Sequence, residues 1–84
     1  MTKTIKIKIG CPVSVNMISK FIFIMSSIHG AVHVKKENVN RTVECNLIGL
    51  MSLSLHQFDN IEIIIDCDDV DFQVNRILRE IKLL

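Results

Sequence analysis

Residues 10–27 read GCPVSVNMISKFIFIMSS, and the way this stretch is parsed decides the fold. Gly10, Cys11 and Pro12 punctuate the chain, because glycine relaxes the backbone and proline cannot extend a strand interior. Beyond them Ile18, Phe21, Ile22, Met25 and Ile28 recur at helical spacing. A helix is therefore expected to run to about Ile28 with that stripe facing the core. Ser14 or Asn16 can cap its N-terminus, each offering a side-chain oxygen to an unpaired backbone N–H. Met17 and Ile24 flank the stripe and Phe23 falls on the far side, so the helix is greasier than one-sided burial requires. Two readings of Met17 and Ile24 follow. Either they form an apolar shoulder that meets a partner, or a small, tightly covered helix buries most of its girth. A helix N-terminus that follows a strand is also where anion chemistry would sit, since it offers free N–H groups and the positive end of the dipole. The stretch holds no side chain suited to accepting a phosphoryl group there.

Working outward, Thr2 to Ile9 alternates strictly, with Ile5, Ile7 and Ile9 on one side and Thr4, Lys6 and Lys8 on the other. That is a half-buried strand with one wet face. After the helix, Gly30 reads as its C′ residue, and Ala31 to Lys36 alternates with Val32 and Val34 inward. Glu37-Asn38 fits a hairpin turn, and Asn40 to Cys45 returns as a strand with Val43 and Cys45 inward. Asn46 to Ser54 carries Leu47, Ile48, Leu50 and Met51 at helical spacing, enough for a short second helix. After a loop over His56 to Asn60, a fourth strand points Ile61, Ile63, Ile65 and Cys67 in, and Glu62, Ile64 and Asp66 out. The last helix has Asp68, Asp69 and Asp71 at its start and Arg76, Arg79 and Lys82 towards its end, which complements the helix dipole at both termini. Val70, Val74, Ile77, Leu78 and Ile81 form its buried stripe. The order is β-α-β-β-α-β-α. Four strands with one apolar face each, and three helices, predict an α+β open-faced β-sandwich: a four-stranded antiparallel sheet covered on one face. Residues 1–84 form a single domain.

Composition narrows the functional classes. A net charge of +1, scattered Lys and Arg, and the absence of Trp and Tyr give no electrostatic or stacking case for nucleic acid. The apolar run from Phe21 to Met25 is far too short to span a bilayer, and the alternating N-terminus does not resemble a signal peptide. No membrane association is expected, and a cytoplasmic location follows as the default. The three cysteines, Cys11, Cys45 and Cys67, lack a C-x-x-C pair and read as free thiols rather than a disulfide framework. His29 and His33 are separated by Gly30 and would not share a helical face. No metal site and no cofactor is expected.

The element order, the spacing and the segment Leu47-Ile48-Gly49-Leu50-Met51-Ser52-Leu53 together resemble HPr, the histidine-containing phosphocarrier family of the bacterial sugar phosphotransferase system. That segment is similar to the second helix of HPr proteins from low-GC Gram-positive bacteria. Phe21, ending N-M-I-S-K-F, stands where the family often has an apolar residue, and the fourth strand and the acidic start of the last helix agree. The resemblance covers the whole chain. It implies a phosphoacceptor His just ahead of the first helix, followed by an Arg and a Pro. Counting back from Phe21, this chain has Ser14, Asn16 and Met17 at those three positions. A serine hydroxyl without a neighbouring base lacks the basic lone pair that makes imidazole a reversible carrier, and Asn16 cannot supply the charged bidentate grip of Arg. The family's Gram-positive members also have a regulatory Ser at the start of the second helix. Either Asn46 is the nearest match here or the position is deleted, since the alignment slips by one residue in the preceding hairpin; an amide neither accepts phosphate nor imitates its charge.

The resemblance further implies a docking surface for enzyme I, HPr kinase or a transcriptional regulator. Its counterparts here are Leu47, Ile48 and Met51 on the second helix and Met17, Lys20 and Ile24 on the first. The expectation is thus a non-enzymatic, protein-binding or regulatory module that resembles a phosphocarrier but does not carry phosphate. Two alternatives stand beside it. One is a working carrier with a displaced acceptor, for which His29 and His33 are the histidines nearest the first helix in sequence. The other is a small metabolite-binding or subunit-interface α/β domain.

Overall fold

Alternating isoleucines make the sheet. In a computed structural model that describes residues 1–81, the strands are β1 (Thr2–Lys8), β2 (Ala31–Lys36), β3 (Thr42–Glu44) and β4 (Asn60–Asp66). All pair antiparallel in the spatial order β1-β4-β2-β3. β4 is the central strand, with Ile63 opposite Ile5 on one side and opposite Val34 on the other. Since side chains alternate across a strand, this register gathers Ile5, Val34, Ile61, Ile63 and Ile65 on one face. The opposite face carries Thr4, Ile64, His33 and Glu44 in one row and Lys6, Glu62 and Lys35 in the next.

Three helices cover the apolar face: α1 (Val15–Met25), α2 (Leu47–Ser52) and α3 (Val70–Ile81). Ile18, Phe21 and Met25 of α1, Leu50 of α2, and Val70, Val74 and Ile77 of α3 are buried against the sheet. Leu50, Ile63, Ile65, Ile77 and Val34 are fully enclosed. Burying each such aliphatic side chain contributes about 1.5–3 kcal/mol relative to leaving it in water. α1 and α3 lie antiparallel. Ile81 shares a cavity with Met17 and Ile18 near the start of α1, whereas His29, just past the end of α1, stands near Asp69 at the start of α3.

The boundaries of α1 and β3 differ most from the sequence reading. α1 ends at Met25, three residues before Ile28. The hydroxyls of Ser26 and Ser27 bond back to the carbonyls of Phe23 and Ile24, competing with continuation of the helix. Ile28 is still buried, because its N–H turns back to the carbonyl of Met25 at 3.1 Å. Gly30 is therefore not a C′ residue, and its φ is not positive. It is required by contact instead, since a Cβ there would collide with the carbonyl oxygen of Asp66 and the Cβ of Cys67. β3 spans only Thr42–Glu44, while Cys45 adds one further bond from its N–H to the carbonyl of Val32 at 3.2 Å.

The charges of α3 make specific pairs. Asp71 meets Lys3 of β1 at 2.8 Å, and Arg76 meets Glu80 at 2.7 Å. The basic residue expected at position 82 lies outside the described residues.

Candidate functional site

The junction between β1 and α1 is held by a loop far away in sequence. The N–H of Phe58 donates to the carbonyl of Ile9 at 2.7 Å, and the N–H of Ile9 donates to the carbonyl of Asp59 at 2.9 Å. The Gln57 side-chain amide reaches the carbonyl of Gly10 at 3.3 Å. Phe58 adopts φ 75° to make these contacts, a left-handed conformation rarely taken by a bulky residue.

Ser14 caps α1. Its backbone is extended, its carbonyl accepts from the N–H of Ile18 at 3.0 Å, and its Oγ accepts from the N–H of Met17 at 3.1 Å. The hydroxyl thus occupies the free N–H that an anion would otherwise use. Asn16 is exposed on the first turn, and its side chain makes no hydrogen bond among the described residues. Behind the junction lies an apolar cavity of about 340 Å³ lined by Ile9, Cys11, Met17, Phe21, Leu50 and Ile81, among others.

Asn46 plays the same part for α2. Its Oδ1 accepts from the N–H of Gly49 at 2.7 Å. Gly49 packs so closely that a Cβ there would collide with the carbonyl of Glu44. Both positions that the resemblance assigns to phosphorylated residues are therefore occupied by side chains that cap helices.

α2 is too short to bury all its apolar residues. Leu50 points into the core, while Ile48 is 84% exposed and Leu47 and Met51 are also open to solvent. On α1 the exposed apolar side chains are Phe23, 79% exposed, and Val15, 58% exposed, and Lys20 is exposed nearby. Met17 and Ile24 are half-buried and pack against the core, so the tight-covering reading describes them better than the open-shoulder reading. Sequence reasoning passed over Val15 because a residue at the first helical position has no preceding turn to establish a stripe.

The histidines redistribute the case for a displaced acceptor. His29 lies beyond the far end of α1, and His33 sits on the open face of the sheet opposite Ile64 and Glu44, so neither reaches the N-terminus of α1. His56, not singled out from the sequence, belongs to the loop that grips Ile9 and Gly10. Its side chain is 75% exposed and its Nδ1 is 3.8 Å from the carboxylate of Asp59. The N–H of His56 donates to that carboxylate at 2.8 Å, and Lys36 stands 3.3 Å from it. The backbone bond, and then Lys36, hold the Asp59 carboxyl below the usual range. Nothing local in His56-Gln57-Phe58-Asp59 signals contact with residue 10, so this placement is a product of the fold.

No group of three His, Cys, Asp or Glu among the described residues could hold a metal ion. Cys45 and Cys11 are half-buried and Cys67 is buried; burial pushes the Cys45 thiol up to about 11 and raises that of Cys67. No helix among the described residues is long and apolar enough to cross a membrane.

No protein-family model matches the chain, and no curated protein sequence matches it. Solved structures do. The phosphocarrier protein HPr of Bacillus anthracis superposes with TM-score 0.79 at 15% identity, covering 94% of this chain and 95% of its own. The histidine-containing phosphocarrier protein of a Mycoplasma matches with TM-score 0.78 at 12% identity, over 93% and 90%. HPr-C-His of Thermoanaerobacter tengcongensis matches with TM-score 0.76 at 22% identity, over 98% and 91%. The order β-α-β-β-α-β-α, the antiparallel sheet and the three covering helices are those of the HPr fold.

Proposed function

We propose that this protein is a divergent member of the HPr family of the phosphotransferase system that docks protein partners without carrying phosphate. The observation that carries the reading is the double capping. The Ser14 hydroxyl is bonded to the N–H of Met17, and the Asn46 amide to the N–H of Gly49. A serine engaged this way has no adjacent base to raise its nucleophilicity, and Asn46 has no hydroxyl to phosphorylate. Exposed apolar side chains stand on both capped helices, Ile48, Leu47 and Met51 on α2 and Val15 and Phe23 on α1, and those nearest the caps supply the docking surface. Met17, Ile24 and Lys20 border it, the first two as supports seated on the core. An apolar patch binds by removing area from water and does not depend on a reacting atom, so docking can persist where transfer is lost. The partners suited to it are a phosphotransferase-system enzyme, HPr kinase or a transcriptional regulator, in the cytoplasm of a Gram-positive bacterium.

The test is intact-mass spectrometry after incubation with phosphoenolpyruvate and enzyme I, repeated with ATP and HPr kinase, with an ordinary HPr as positive control. The control gains phosphate and this protein does not. Calorimetric titration with the same two proteins should detect a complex that Ile48→Asp weakens by about tenfold or more.

A second reading has a specific observation behind it. The loop bearing His56 is bonded directly to the β1–α1 junction, and Asp59 lies against its ring. A carboxylate beside Nδ1 can orient an imidazole. If phosphate is gained from phosphoenolpyruvate and is lost in His56→Ala, the protein is a carrier with a displaced acceptor and the first reading falls.

A further inference from the structure

α3 carries an outward stripe that the proposed docking surface does not use. Phe72, Asn75 and Arg79 recur at spacings of three and four, and Asp68 stands four residues ahead of Phe72 in the turn before the helix; all four are exposed. Phe72 is 61% exposed in a chain whose aromatic residues are four phenylalanines and no Trp or Tyr. The charges on the flanks of α3 are satisfied within the molecule, Asp71 by Lys3 at 2.8 Å and Arg76 by Glu80 at 2.7 Å. Among the described residues, those of the stripe are not. Asp68 and Arg79 make no ion pair or side-chain hydrogen bond with the described residues.

We propose that this stripe is a self-association surface, in which α3 pairs antiparallel with α3 of a second copy about a two-fold axis. The argument is charge complementarity. If Phe72 is set opposite Asn75 of the second copy, then the turn carrying Asp68, two residues ahead of α3, falls beside Arg79 of the second copy, because both pairs straddle the same point between residues 73 and 74. A two-fold axis makes each pairing twice. The alternation of three and four is the spacing of a helix–helix seam. A parallel pairing would instead set Asp68 against Asp68 and Arg79 against Arg79. The association is weak, since two three-turn helices bury much less than the roughly 1,200–2,000 Å² of a stable specific interface. The proposal goes beyond the docking reading and does not rest on it, because the stripe lies on a different helix from Ile48 and Val15.

Sedimentation equilibrium of the purified protein under reducing conditions tests it, at concentrations up to about 1 mM, where a millimolar dimer is still visible. The weight-average mass should rise with concentration from 9.6 kDa towards that of two chains. Phe72→Glu should weaken association by about tenfold or more. Asp68→Arg and Arg79→Asp should each weaken it by about threefold, while the double reversal restores it to within about twofold of the parent. All these positions are exposed, and circular dichroism verifies that each variant is folded. A parent protein that stays at 9.6 kDa throughout overturns the proposal. So does self-association that Phe72→Glu leaves unchanged, or a double reversal that fails to restore what the single reversals lose. None of these outcomes bears on phosphate transfer or on binding through α2.

Discussion

The N–H of Phe58 donates to the carbonyl oxygen of Ile9 at 2.7 Å, which fastens the loop before β4 to the end of β1 across forty-nine residues of chain. Phe58 makes this bond with φ at 75° and with its ring largely in solvent. A left-handed residue other than glycine costs about 1–2 kcal/mol, and an exposed ring returns little of that through packing. Phe58→Gly should therefore raise stability by up to about 1 kcal/mol after the extra freedom of the unfolded chain is counted. Urea denaturation reads the change, and a variant less stable than the parent would show that the ring is held by contacts worth more than the strain.

Ser14 and Asn46 are predicted to act as structural caps. Ser14→Ala and Asn46→Ala should each cost about 1 kcal/mol, seen as a lower melting temperature. Asn46→Ser should keep most of the cap, within about 0.5 kcal/mol of the parent, because a hydroxyl oxygen can also accept from the N–H of Gly49. Equal stability of Ser14→Ala and the parent would mean that the bond to Met17 contributes nothing.

Gly30 is predicted to be intolerant of any side chain. The carbonyl of Asp66 and the Cβ of Cys67 occupy the space a Cβ would need, and neither is the flexible tip of a side chain. Gly30→Ala should cost more than about 2 kcal/mol, whereas Gly10→Ala, with open space around it, should cost much less. Parallel chemical denaturation of the two variants separates a local collision from a general need for glycine.

Acid should weaken the fold through Asp59 and Asp69. The carboxyls of both are held below the unfolded value of about 3.9, chiefly by the His56 N–H for Asp59 and the Gln73 side chain for Asp69. A depressed folded pKa contributes stability that is fully present above the unfolded value and is lost as pH falls through the folded one. Stability should thus be level above about pH 5 and decline below pH 4. Asp59→Asn should be less stable at neutral pH and show a shallower decline. An acid limb of the same steepness in Asp59→Asn would remove this carboxyl from the account.

Cys45 should react slowly. With its thiol pushed up to about 11, only a small fraction is thiolate at pH 8. Brief treatment of the native protein with iodoacetamide at pH 8, followed by peptide mapping, should leave Cys45 largely unmodified. Denaturant should expose it to rapid alkylation. Fast labelling of Cys45 in the native protein would mean that the β3–α2 corner opens readily.

What the sequence determined by itself was everything that depends on the period of a single element. Ile61, Ile63 and Ile65 announce the inner face of β4 because alternate residues share a side of a strand. Ile18, Phe21 and Met25 announce the inner face of α1 because residues three and four apart share a side of a helix. The cap of α1 was narrowed to Ser14 or Asn16 for the same reason, a cap being decided within about three residues, whereas the capping role of Asn46 emerged only from the structure. The tertiary structure alone decided what depends on which distant segments meet. The order β1-β4-β2-β3 places Asp66 beside Gly30 and thereby excludes a side chain there. The loop over residues 56–59, which carries His56, is bonded to the β1–α1 junction through Gln57, Phe58 and Asp59, while His29 and His33, nearer in sequence, lie elsewhere. Whether Met17 and Ile24 meet solvent or the core was likewise settled only by the surrounding elements. Local periodicity assigns a residue to a face, but its exposure depends on what the rest of the chain lays against that face.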